Sequence, residues 1–130
     1  MFLKKTENYK ASPYSKEHPI RKIESVTPIE IESGFCGHAL IAMLTNESIE
    51  SVKKLMGNSH ASWSKILEAL DYYGISYAKK AVYTKGREIA YPPCCIVIND
   101  GGFLLYYKGE FIGVKNVDNS KTVSYIEILL

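Results

Sequence analysis

The sequence predicts an α+β domain in which N-terminal helices pack on one face of a C-terminal antiparallel sheet. A chain of 130 residues with 46% hydrophobic content can bury one core. Apolar residues recur at helical spacing between residues 36 and 74, and at strand spacing beyond residue 74. Helices followed by a run of strands are typical of the α+β class.

Residues 1–22 are expected to form a polar arm, and residues 23–130 a single domain. The arm is rich in lysine and has no hydrophobic periodicity, as is typical of loosely ordered termini. The first 28 residues hold six Lys and Arg against three Glu. Subtracting this +3 from the total charge of +2 leaves −1 for the remainder, so no basic face is expected on the domain.

Three helices are predicted from apolar spacing and from the residues that begin and end them. The first helix begins at Cys36, directly after a glycine turn. Ser48 can cap a second helix that Gly57 closes, and Ser62 can cap a third that Gly74 ends. The apolar stripe of the third helix is formed by Trp63, Ile66, Leu67 and Leu70.

The extended runs after Gly74 predict an antiparallel meander. Turn signals separate these runs, among them "NDGG" and a Lys-Gly pair, whose residues tolerate the positive φ angles of tight turns. The predicted strands cover residues 75–83, 95–99, 103–107, 110–114 and 122–128.

Composition excludes several classes of function. A net charge of +2 is too small to indicate a nucleic-acid or anionic-membrane partner. No stretch is apolar enough for a secretory signal or a membrane span. Three cysteines do not make a disulfide framework, so we expect a reducing, cytoplasmic environment. No cofactor is predicted.

Cys36 is the candidate nucleophile. The start of a helix carries roughly half a positive charge, and the free amides there favour the thiolate over the thiol. Its own backbone N–H would also supply half of an oxyanion hole. The alternative is that Cys36 is only a small buried hydrophobic residue. A metal site built from the cysteines and histidines is not expected, because no C-x-x-C pair is present and Cys94 and Cys95 are adjacent.

The segments "GFCGHALIAML", "SWSKILEALDYYGI" and "PPCCIVINDGGFLLYYKGEFIGV", in this order, resemble the papain-like cysteine peptidases. The most similar group is the bacteriocin-leader peptidases, which cut after a double glycine, with their small stand-alone relatives. The resemblance runs from about Pro28 to Val114. It implies a small papain-like fold, a bacterial or phage origin, and an extended peptide as partner.

The resemblance also implies roles for single positions, and most of them are altered in this chain. Cys36 matches the nucleophile of the family. The glutamine that completes the oxyanion hole is replaced by Glu30, whose ionised carboxylate cannot donate a hydrogen bond. The general-base histidine matches Gly102, and the aspartate that orients it matches Gly113.

Three histidines remain as candidate substitutes for the missing base. His38 follows Cys36 by two residues and should point away from the thiol on a helix. His60 precedes the third helix and is the candidate substitute base, although an exposed loop histidine is the simpler interpretation. His18 lies in the arm, and no histidine follows residue 60.

The favoured hypothesis is therefore a degenerate, inactive homologue of the papain-like peptidases that binds a peptide segment. The alternative is a divergent cysteine peptidase or acyltransferase that uses Cys36 with a non-standard base. A structural accessory domain with an empty groove is a third hypothesis.

Overall fold

The structure, a computed structural model, describes residue 23 and residues 26–29, 36–84, 88–99, 102–114 and 117–129. The predicted arm of residues 1–22, together with His18 and Glu30, lies outside the described residues. The described chain forms an α+β arrangement, as predicted from the change of period at residue 74. Its helices are α1 (Cys36–Thr45), α2 (Ile49–Met56) and α3 (Trp63–Tyr72), and its strands are β1 (Val82–Tyr83), β2 (Cys94–Asn99), β3 (Gly102–Tyr107), β4 (Glu110–Ile112) and β5 (Thr122–Glu127).

The predicted caps of the second and third helices are confirmed. The Ser48 hydroxyl accepts a hydrogen bond from the backbone N–H of Ser51 at 3.1 Å. The Ser62 hydroxyl accepts one from the N–H of Lys65 at 3.2 Å. Each of these bonds satisfies a backbone donor that the first turn of a helix leaves without a partner.

The C-terminus of α3 is a Schellman motif. Gly74 has a φ of 74°, and its N–H donates to the Asp71 carbonyl at 3.1 Å. The N–H of Ile75 donates to the Leu70 carbonyl at 2.9 Å, and both of these side chains are fully buried. This pairing of two backbone bonds with one apolar contact stops the helix at the predicted glycine.

The sheet has the strand order β1-β5-β2-β3-β4, so the prediction of a simple meander is wrong. Strands β2, β3 and β4 do form a meander, but β5 pairs with β2 on its other side. The reason is burial: β2 begins with four fully buried residues, Cys94, Cys95, Ile96 and Val97. A strand that is apolar on both faces belongs in the interior of a sheet, with a neighbour on each side.

The predicted strand over residues 75–83 is also only partly correct. Tyr77 forms an isolated bridge to Ile128, and β1 resumes the pairing with β5 at Val82. Between them, Lys79 and Lys80 lie in a bend. Two adjacent lysines have no apolar surface to bury on the sheet, so the chain leaves it at this point.

The helices lie on one face of the sheet. α1 packs against β3, and all its residues after Cys36 are buried. The opposite face carries an aromatic cluster formed by Tyr91, Tyr106, Phe111 and Tyr125, with the Tyr91 and Tyr106 ring centroids 4.7 Å apart. α1 is thus enclosed by β3 and by the other two helices, and the half-buried Cys36 is its first residue.

Candidate functional site

The start of α1 is held tightly against the segment that precedes α3. A β-carbon at Gly37 would lie 3.0 Å from the Ala61 β-carbon and 3.2 Å from the Ile66 Cδ1 atom. A side chain at Gly37 would therefore force the two segments apart, since real β-carbons rarely come so close. Cys36 directly precedes this contact and is half-buried.

The start of α3 is in turn attached to the start of β3. The Trp63 and Phe103 rings stack nearly parallel, with centroids 5.6 Å apart and an angle of 13° between their planes. Both side chains are partly buried against the core. These contacts connect the start of α1 to the start of β3 through the segment that begins α3. Phe103 faces the helices, so the alternation along β3 turns a side chain at Gly102 toward the opposite face of the sheet.

Gly102, at the position of the missing base, is not required by the backbone or by packing. It is the first residue of β3 and pairs with Asn99 in the hairpin. A β-carbon there would meet only the Asn99 carbonyl oxygen, at an ordinary contact distance of 3.7 Å. Among the described residues, the fold thus leaves room for a side chain at this end of the sheet, on the face opposite the helices.

Gly113, at the position of the missing aspartate, is required both by the conformation of its backbone and by packing. Its φ of 80° is a left-handed conformation that favours glycine. A β-carbon there would lie 2.7 Å from the Ile29 carbonyl oxygen. An aspartate at this position would need a different backbone path at the end of β4.

His38 is used in helix packing. Its ring is fully buried, and its Nε2–H donates to the Gly57 carbonyl at 2.8 Å, which connects α1 to the end of α2. Burial lowers the pKa of His38, the hydrogen bond to Gly57 opposes this, and the positive charges of Lys53 and His60 lower it further. The lowered pKa makes His38 a poor proton acceptor, and its Nε2–H is already used in the bond to Gly57, so His38 is unsuitable as a base for Cys36.

His60 is exposed in the loop before α3. It directly precedes Ala61, which touches Gly37, so it lies close to the helix start that carries Cys36.

Cys94 and Cys95 belong to β2 and are fully buried. Burial raises the pKa of each thiol to about 12, so both stay protonated and unreactive near neutral pH. Within the described part of the chain, no three His, Cys, Asp or Glu side chains are grouped so as to hold a metal ion.

Two acidic residues of α3 were not identified from the sequence. Glu68 is buried, and its Oε1 atom has no hydrogen-bond partner among the described residues. Burial raises the pKa of Asp71 to about 7, and the nearby Glu68 adds to this. The Tyr77 hydroxyl opposes the rise, although neither carboxylate oxygen of Asp71 has a described partner at hydrogen-bond distance and angle. The sequence signal was their spacing of three residues beside the apolar stripe, which shows neighbouring positions on a helix but not burial.

None of the helices that the structure describes is long and apolar enough to cross a membrane. Comparison with protein-family models, with curated proteins and with solved structures finds no match to this chain.

Proposed function

We propose that this protein is a degenerate homologue of the papain-like cysteine peptidases that has lost peptidase activity and binds an extended peptide segment. The observation that carries the proposal is the arrangement at the end of α1. A half-buried cysteine opens the helix that packs against β3, and the position that the resemblance assigns to the catalytic base is a glycine without a side chain.

The α+β arrangement supports the papain-like fold as part of this proposal. The cysteine lies at the N-terminus of a helix that packs against β3, and the hairpin of β2 and β3 carries the position expected for the base. The stacked Trp63 and Phe103 rings connect these two parts. A nucleophile on a helix and a base on a neighbouring strand is the arrangement that the resemblance implies.

Loss of activity follows from the side chains that are available. A thiol attacks a peptide carbonyl only after a base accepts its proton, and such a base contributes roughly 10²–10⁴-fold to the rate. Gly102 has no side chain to fill this role, and His38 is committed to the Gly57 carbonyl. The backbone at Gly113 also rejects the aspartate that would orient a histidine.

Peptide binding is supported by the surfaces beside Cys36. The Trp63 and Phe103 rings offer an apolar wall that is only partly buried. Through Ala61 and Ile66, the same segment contacts the start of α1 beside Cys36. An extended peptide that lies there would cover the half-buried thiol without being cut.

The binding test uses Trp63, the single tryptophan of the chain, as its own probe. We expect a synthetic peptide that ends in Gly-Gly to change the Trp63 fluorescence saturably, and a matched peptide that ends in Ala-Ala to bind more weakly. Binding of a fluorescein-labelled Gly-Gly peptide should be lost with Trp63→Ala and kept with Trp63→Phe, which preserves an apolar ring. Absence of binding up to about 1 mM would contradict the peptide-binding part and favour the structural accessory domain.

The activity test measures alkylation of Cys36 by iodoacetamide against pH, with buried Cys94 and Cys95 as internal controls that should not react in the folded protein. We expect Cys36 to react at pH 6 no faster than a simple model thiol. Gly102→His and Gly102→Gln should leave this rate equally unchanged, because the alternation along β3 turns both side chains to the face of the sheet opposite α1. Hydrolysis of a peptide by the natural chain, abolished by Cys36→Ala, would overturn the loss of activity.

The alternative is a divergent cysteine peptidase or acyltransferase in which His60 acts as the base. It is favoured by one observation, the contact between Ala61 and Gly37, which holds the loop of His60 beside the start of α1. This hypothesis predicts fast alkylation of Cys36 near pH 6 that falls to the rate of a model thiol in His60→Ala. Fast alkylation that survives His60→Ala would point to the helix terminus alone.

A further inference from the structure

The large hydrophobic side chains that are exposed in the described chain all lie along one edge of the sheet, at β1 and the neighbouring parts of β5. These are Val82, Tyr83, Val123 and Leu129, with exposed fractions of 45%, 69%, 51% and 46%. Val123 accepts a backbone bond from Thr84, and Leu129 donates one to Ser76. Val82 and Val123 share one face of this edge, Tyr83 lies on the other face, and Leu129 follows the end of β5. Exposed apolar side chains at the edge of a sheet are typical of a site where a further strand can add.

The backbone of β1 offers hydrogen-bonding groups on its outer side. β1 is the first strand of the sheet, and β5 is its neighbour in the described sheet. The N–H of Thr84 donates to the Val123 carbonyl at 3.1 Å, so Val82 and Thr84 direct their backbone groups toward β5. Because these directions alternate along an antiparallel strand, the N–H and C=O of Tyr83 point outward. Among the described residues, no strand lies beyond β1, so these two groups can bind a further strand.

The charge of this edge indicates what kind of strand can approach it. The described residues 79–84 contain two lysines and no acidic residue, although the chain as a whole is nearly neutral. Lys79 and Lys80 are exposed in the bend that precedes β1. A second copy that paired antiparallel through β1 would bring two such basic segments together, and lysines at a sheet edge oppose pairing of this kind.

We propose that the β1 edge binds an extended, acidic segment of another protein, which adds to the sheet as a strand beside β1. The outward backbone groups of Tyr83 bind its main chain. Val82 and Val123 lie on the same face of the sheet, because the register sets Val82 against Tyr125, and they contact its apolar side chains. Lys79 and Lys80 pair with its carboxylates. This site is independent of the proposed function, because Cys36 and Gly102 belong to other elements.

The test titrates the full chain with a fluorescein-labelled eight-residue peptide that alternates valine and glutamate, and with a valine–lysine peptide as control. We expect the glutamate peptide to bind with a Kd below about 1 mM and to weaken at high salt. Lys79→Glu combined with Lys80→Glu should raise this Kd roughly three- to tenfold. Hydrogen exchange of the Tyr83 amide should slow when the glutamate peptide is bound.

The sharpest variant is Tyr83→Pro, which removes the outward N–H and leaves the bonds from β1 to β5 in place. Its matched control is Tyr83→Val, which keeps the N–H and the β propensity. We expect Tyr83→Pro to raise the Kd roughly fivefold over Tyr83→Val, with thermal unfolding measured to verify that both variants fold.

Three outcomes would overturn the proposal. The first is equal binding of the lysine and glutamate peptides, or no binding of either. The second is a dimer of the natural chain that Tyr83→Pro dissociates, which would identify a second copy as the occupant. The third is a 12-residue oligothymidylate that binds as well as the glutamate peptide and is unaffected by Tyr83→Pro, which would identify a general polyanion site.

Discussion

Replacement of Asp71 by asparagine is expected to stabilise the protein above pH 7 and to leave it nearly unchanged at pH 4. Burial raises the pKa of Asp71 from 3.8 to about 7 in the folded state. At pH values between 3.8 and about 7, the folded protein therefore keeps Asp71 protonated, whereas the unfolded chain has released this proton. Stability from this group is fully present below about pH 4 and is lost as the pH rises through 7.

The magnitude follows from the difference between the two pKa values. For a fully buried carboxyl, a pKa of about 7 instead of 3.8 would correspond to ~4 kcal/mol. Asp71 is only half-buried, and screening by solvent reduces this to roughly 1–2 kcal/mol. Asparagine is nearly isosteric and cannot ionise, so Asp71→Asn should exceed the natural chain in stability by that amount at pH 8.

The assay is urea unfolding followed by circular dichroism at half-unit steps from pH 4 to 8 for the natural chain, Asp71→Asn and Asp118→Asn. Asp118 is the matched control, because it is exposed and hydrogen bonds from Ser120 lower its pKa, which is the opposite direction. Its contribution is present above the unfolded pKa and is lost in acid, so Asp118→Asn should bring no gain at pH 8. A stability difference between Asp71→Asn and the natural chain that stays constant from pH 4 to 8 would refute the reasoning.

Two other perturbations follow from the site. Gly113→Ala should destabilise the protein by about 2–4 kcal/mol, since it combines a left-handed φ with a 2.7 Å approach to the Ile29 carbonyl. Gly102→Ala, the matched substitution at a position with room, should stabilise the protein by up to ~1 kcal/mol. Urea unfolding at pH 7 measures the free energy of unfolding of both variants. An equal loss of stability in the two variants would contradict this prediction. The lowered pKa of His38 predicts stability that is present above pH ~6.5 and falls in acid. His38→Gln, which keeps a donor for the Gly57 carbonyl, should reduce the loss of stability between pH 6.5 and 4.5. An unchanged loss of stability in this range would show that another group causes it.

The sequence by itself determined the features that depend on neighbours a few residues apart. The starts of α2 and α3 and the end of α3 follow from Ser48, Ser62 and Gly74, because the bonds of each cap join residues at most five positions apart. The change of hydrophobic period after Gly74 likewise predicted the α+β class. Such signals are complete before the chain folds.

The tertiary structure decided what depends on distant segments. The pairing of β5 with β2 joins residues far apart in the sequence, and burial of Ile96 between Leu105 and Ile126 selects it over a meander. The sequence does not distinguish Gly102 from Gly113, because each is a glycine at a position where the resemblance implies another residue. The approach of the Ile29 carbonyl makes Gly113 obligatory, while open space leaves Gly102 replaceable.

The same distinction holds for the titratable groups. His38 and Asp71 occupy ordinary helical positions in the sequence, yet burial lowers the pKa of one and raises that of the other. Desolvation disfavours the charged form of any group, so the direction of the change is set by the sign of that charge. The sequence determined which charge each group can carry, and only the folded chain decided how far each is removed from water.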